Sequence, residues 1–188
     1  NGGSLVLNSA NTLGSGKTLT ITGGDLTVGS SGSFTIEAGA ALTFTDGADL
    51  VSNGSVTING TQANPVTFSF SGGGSLVLNS ANTLASDKTL TITGGSLTVG
   101  SSGSFTVGAG CALTFKDGLQ VDGSVTINGT QNSPVTLKFD GGSAVNVVGS
   151  LAATYANFTL NTGYGYLWGG IYKGNSTGTL QLTNCTVS

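Results

Sequence analysis

The chain is written in short phrases of apolar residue, threonine, apolar residue: Leu26-Thr27-Val28, Phe34-Thr35-Ile36 and Leu42-Thr43-Phe44. This is the alternation of a short strand with one face buried and the other wet. The threonines stand at 27, 35 and 43, so a strand begins roughly every eight residues. Gly and Ser fill the intervals, where the chain must turn. Three strands and three turns fit about 24 residues, which is one coil of a three-sided β-solenoid. No segment places apolar residues at i, i+3, i+4 and i+7, and Gly and Thr at this density oppose helix.

The pattern is duplicated. Asp25–Gly47 returns as Ser96–Gly118, and Ser4–Leu13 recurs unchanged at Ser75–Leu84, 71 positions on. The spacing falls to 69 downstream, as between Pro65 and Pro134, so the second copy is two residues shorter between Gly47 and Gly54. A deletion tolerated there predicts an exposed corner. The expected fold is all-β, a parallel β-helix with three strands per coil and about eight coils. It forms a single domain over 1–188: a first unit at 4–71, a second at 75–140 and divergent coils at 141–188. Stacked at about 4.8 Å, like residues lie over like and the inner columns become one core. Leu5, Ile21, Phe44, Ile58, Phe68, Leu90, Phe115 and Ile127 are therefore expected to be buried, with Thr20, Thr43 and Thr91 exposed. A β-sandwich also uses short alternating strands, but tandem copies at a fixed period oppose it.

Three stretches of the first unit carry a likeness: Ile36–Phe44, Gly54–Thr61 and Pro65–Phe68. With the ending at Ala156-Asn157-Phe158, Trp168–Ile171 and Leu182–Val187, the chain resembles secreted bacterial right-handed parallel β-helix proteins, including surface and adhesin-like ones. The resemblance implies the fold over nearly the whole chain. It implies no one activity, because this fold carries lyases, hydrolases, adhesins and passive stalks.

Composition narrows the chemistry. Only 7% of residues are charged, the net charge is −3, and the five basic residues are all lysine. This leaves no basic footprint for nucleic acid, and no apolar run is long enough for membrane insertion. Sparse charge with abundant Gly, Ser, Thr and Asn suits an extracellular or cell-surface protein. There is no His and no Arg, hence no imidazole for acid–base work and no guanidinium to hold a carboxylate. The carboxylates are scattered; Asp46 and Asp49 are the one close pair, and read as ordinary turn residues. The expectation is a protein that is not an enzyme and takes no cofactor or metal.

The candidate sites are surfaces. Tyr155, Tyr164, Tyr166, Trp168 and Tyr172 crowd the last coils and could stack on glycans or a partner at the cell surface, or close the end of the core. Outward threonines on the third side of each coil (Thr20/Thr22, Thr43/Thr45, Thr67/Ser69, Thr91/Thr93) would form a flat array similar to an ice-binding face. The same residues are what any outward strand collects. The ends are the third candidate. The first coil opens with Leu5 and Leu7, the phrase found again inside the stack, and the last carries Leu180 and Leu182. Two unlike open ends predict head-to-tail self-association into a surface fibre, with the Leu5/Leu7 coil meeting the aromatic C-terminal coils of the next subunit. Cys111 and Cys185 fall in the fifth and eighth coils, roughly 14 Å apart along the axis. That exceeds the ~7 Å Cα separation a disulfide allows, so they should not pair within a chain.

Overall fold

The computed structural model describes residues 3–140, 144–160, 170–174 and 177–188. They form 24 strands, with no helix among the described residues. Every third strand joins the same sheet, giving three sheets of eight strands each. The first sheet holds Leu5–Leu7, Leu26–Val28, Leu50–Ser52, Leu76–Leu78, Leu97–Val99, Leu119–Val121, Ala144–Val147 and Gly170–Lys173. The second runs from Ala10–Leu13 and Ser33–Ile36 through Ser55–Ile58, Ala81–Leu84, Ser104–Val107, Ser124–Asn128 and Ser150–Thr154 to Thr179–Thr183. The third runs from Thr18–Thr22 through Ala41–Thr45, Val66–Phe70, Thr89–Thr93, Ala112–Phe115, Val135–Phe139 and Ala156–Leu160 to Thr186–Val187. The ladders are parallel, with Leu26 beside Leu50 and Leu19 beside Leu42. The chain is thus a three-sided parallel β-solenoid, and one continuous apolar column runs along its axis.

The period-two alternation sets what is buried. Leu26, Leu42, Phe44, Leu50, Phe68, Leu90 and Phe115 are fully enclosed, and Ile58 and Ile127 nearly so. Leu5 departs from the expectation at 44% exposed, and Ile21 is only half-buried. Both belong to the first coil, beneath which no described residue lies, so their parity is right and their cover is missing. Thr20 is exposed as expected, whereas Thr43 and Thr91 are half-buried. Their neighbours on the coils above and below shade them at the strand spacing.

Two details depart from the sequence pattern. Ala48, inside the stretch that the second unit shortens, is 1% exposed, so that corner is packed rather than open. The coil that closes each unit also reaches further than the pattern suggests, because Phe70 and Phe139 are strand residues of the core. Phe70 stacks on Phe44 with ring centroids 4.8 Å apart, and Phe139 on Phe115 at 5.0 Å. Pro65 and Pro134 stand just before these two strands, where the missing N–H breaks no ladder.

Candidate functional site

The junction between the two repeat units shows how one coil recognises the next. At its centre lies Asn82, a polar side chain in the core, 5% exposed. It points inward because it shares strand parity with Leu84 in Ala81–Leu84. Its Oδ1 accepts the backbone N–H of Val56 at 2.8 Å and lies 3.4 Å from the Ser52 hydroxyl on the coil beneath. Its Nδ2 donates to the Ser80 carbonyl and the Ser80 hydroxyl, both at 3.1 Å. The Ser52 hydroxyl donates to the Gly54 carbonyl at 2.9 Å, and the Ser80 hydroxyl bonds the same carbonyl. Both the nitrogen and the oxygen of the buried amide have partners, which is the condition for keeping such a group in a core. The backbone ladder is shortened here: in the second sheet only Thr83 stands opposite Thr57. The Asn82 side chain takes the Val56 N–H in place of a main-chain carbonyl.

Two further contacts flank this centre. Asp49 Oδ1 accepts the Ser75 N–H at 2.7 Å and the Ser75 hydroxyl at 3.1 Å. Asn79 Nδ2 donates to Asn53 Oδ1 at 3.1 Å. Asp49, expected as a solvated turn carboxylate, is therefore a half-buried link between coils. Gly54 must stay a glycine, since a Cβ there would collide with the carbonyls of Gly29 and Gly32.

The first coil repeats one side of this junction without the other. Ser4, Asn8, Ser9 and Asn11 are the twins of Ser75, Asn79, Ser80 and Asn82. Asn11 keeps the local bond, Nδ2 to the Ser9 carbonyl at 2.9 Å. Among the described residues its Oδ1 meets no donor. Leu7 is half-buried, while Leu5 and Val6 are 44% and 51% exposed. At the opposite end of the stack Leu180 is half-buried, and Leu182 and Val187 are exposed. The structure thus separates the end residues into two sites a full stack apart.

The aromatic candidates divide. Tyr164, Tyr166 and Trp168 lie outside the described residues. Tyr172 is exposed in the first sheet, beside Asn146. Tyr155 is half-buried at the corner between the second and third sheets, with a positive φ of 47°. The threonine array is interrupted by register. In the third sheet Thr43 lies beside Ser69 and Thr67 beside Ala41, a two-residue slip at the closing coil. A second slip sets Thr114 beside Lys138, which pairs with Asp140 at 3.0 Å on the surface. Hydroxyls that do align bond one another, as Thr45 to Thr22 and Thr93 to Ser69.

Cys111 and Cys185 are both free. Cys111 is enclosed, with Sγ 2.9 Å from the Ala85 carbonyl. Burial pushes its thiol pKa above the ordinary value of 9.0 and outweighs the backbone hydrogen bonds that pull it down. Cys185 is half-buried on the last coil, near the Ala153 carbonyl.

No family model, curated protein or solved structure matches this chain.

Proposed function

We propose that the chain is a structural, extracellular segment of a surface fibre, without enzymatic activity, whose solenoid is prolonged by coil-on-coil stacking at its ends. One observation carries this reading. Ser4–Leu13 and Ser75–Leu84 have the same sequence, and the second of them sits on another coil with Ser75, Asn79, Ser80 and Asn82 all bonded to it. The first therefore has the chemistry of an internal coil while exposing Leu5 and Val6 at its edge. Exposed strand edges with apolar side chains are templates for further strands. An extended column of three parallel sheets suits a stalk or filament, and the low charge opposes stacking little. The likeness to secreted bacterial β-helix surface proteins points the same way.

Electron microscopy and light scattering on the native, full-length protein test this. Filaments or stalks about one solenoid wide are expected. A monomer that remains monodisperse at high concentration, with its first coil covered by a non-solenoid cap, would refute the stacking.

A further inference from the structure

The same edge also carries a specificity, one that rests on the stacking reading. Four side chains on the underside of the first coil, Ser4, Asn8, Ser9 and Asn11, have twins whose partners are all visible at the unit junction. Those partners are Asp49 for Ser75, Asn53 for Asn79, the Gly54 carbonyl for Ser80, and Ser52 with the Val56 N–H for Asn82. The sheet register allows the same positions to be read on every other coil. Leu50, Leu119 and Ile171 lie in one column of the first sheet. Asp49, Ser52 and Asn53 of the coil closing the first unit thus become Gly118, Val121 and Asp122 in the coil closing the second. They become Gly170, Lys173 and Gly174 in the last coil.

The junction partner changes in step. Where Val121 replaces Ser52, the residue above, in the place of Asn82, is Leu151, opposite Val125. There the backbone ladder runs unbroken from Ser124 opposite Ser150 to Asn128 opposite Thr154. A polar pair with a side-chain bridge has been exchanged as a set for an apolar pair with a full ladder. Seating Asn11 on a Val121-type coil would put a methyl group where the Ser52 hydroxyl lies beside the twin amide oxygen, a polar group packed against an apolar one in the core. Seating it on the last coil would place Lys173 under Leu7 and supply neither the Asp nor the Asn.

We infer that the underside of the first coil is a seat for one kind of partner: the closing coil of another repeat unit of the first kind, bearing Asp, Ser and Asn at the positions of Asp49, Ser52 and Asn53. The link fits as well. Gly2-Gly3-Ser4 repeats Gly73-Gly74-Ser75, the connection through which the first unit enters the second. The occupant is thus a unit joined in tandem through Gly-Gly-Ser, and not the last coil of a second copy.

The test is an extended chain in which a copy of residues 4–74 is fused directly ahead of Ser4, compared with the 188-residue chain. Amide exchange over Leu5–Leu13 is the readout. The extension should slow it by about 100-fold or more, as expected for an edge turned into an internal coil. Asp49→Gly, Ser52→Val and Asn53→Asp introduced together in the added copy only, which recreate the second closing coil, should remove at least about tenfold of that protection. Asn11→Leu should cost protection in the extended chain and leave exchange in the 188-residue chain unchanged. Equal protection by the triple variant would overturn the specificity while leaving stacking intact. Equal sensitivity to Asn11→Leu in both chains would overturn it too, since Asn11 would then serve only its own coil. Protection of Leu5–Leu13 by self-association of the 188-residue chain would make a second copy the partner and overturn the assignment. An added copy that gives no protection at all would sink the stacking reading itself.

Discussion

Asn82→Ala and Asn11→Ala form an experiment with its own internal control, because the two residues lie in the same ten-residue sequence. Removing the Asn82 amide strips the acceptor from the Val56 N–H, and Val56 is only 4% exposed. A buried donor left unpaired costs about 1–3 kcal/mol. The serines lose less: Ser52 and Ser80 keep the Gly54 carbonyl as acceptor. At Asn11 the only bond lost among the described residues is the exposed one to the Ser9 carbonyl, so the change should stay within about 0.5 kcal/mol. Urea unfolding of both variants measures the difference, with the midpoint and slope read separately. A third chain sharpens the result. Ser52→Val with Asn82→Leu rebuilds the Val121–Leu151 arrangement, so the pair should recover part of the summed single losses, by about 0.5–3 kcal/mol. The reasoning fails if Asn82→Ala is as mild as Asn11→Ala, or if the two paired changes simply add.

Other consequences come from the packing. Phe70→Ala removes a ring stacked on Phe44 and should destabilise the chain by about 3–5 kcal/mol, whereas Leu182→Ala on the exposed last coil should cost far less; thermal unfolding compares them. Cys111 is favoured in its neutral form by folding, because its folded pKa lies above its unfolded one. Its contribution is whole below about pH 9 and is lost as pH rises through the folded value, so stability should fall above that range and Cys111→Ala should flatten the fall. In the native state at pH 8 a thiol reagent should label Cys185 well before Cys111. Lys138→Ala breaks a surface ion pair whose side chains are 53% and 40% exposed, so a shift of under about 0.5 kcal/mol, vanishing in high salt, is expected from the same unfolding assay.

Much of the fold is legible because every strand states its face twice over, once by alternation and once by its copy in the other unit. Leu26-Thr27-Val28 reads as buried, shaded, buried whether one looks along the strand or across to Leu97-Thr98-Val99. The residues that escape such a reading are those whose type contradicts their parity. Ser52 and Asn82 occupy inward positions but are polar, so an alternation of apolar residues passes over them. The signal is nonetheless present: Asn82 is two residues from Leu84, as Asn11 is from Leu13, and that parity alone places an amide in the core. The slip of the closing coils is hidden for another reason. Pro65 and Pro134 fix where the third strand begins but not which residue it faces, and the two-residue shift emerges only once Phe70 is found over Phe44. Likewise a length difference between the units predicts an exposed corner at Ala48, whereas a shorter corner can also be packed.

The duplicated decapeptide bears most directly on the role of the ends. Around it the two units have drifted apart: Gly14 and Gly16 stand against Ala85 and Asp87, Asp25 against Ser96, Glu37 against Gly108, Ala40 against Cys111. Within Ser4–Leu13 nothing differs, although one copy is enclosed between coils and the other lies at an edge. For an edge strand that stays in water, Asn11 and Leu5 are poor choices. Natural edges carry charge or proline to discourage pairing, and this strand carries neither. An inward asparagine without its partner contributes nothing to a core, and an exposed Leu5–Val6–Leu7 invites another strand. Each of these residues is accounted for once a coil of the Asp49, Ser52, Asn53 type lies beneath it, as one does beneath Ser75–Leu84. The polar residues of the edge thus decide which coil it accepts, while the apolar residues supply most of the stabilisation.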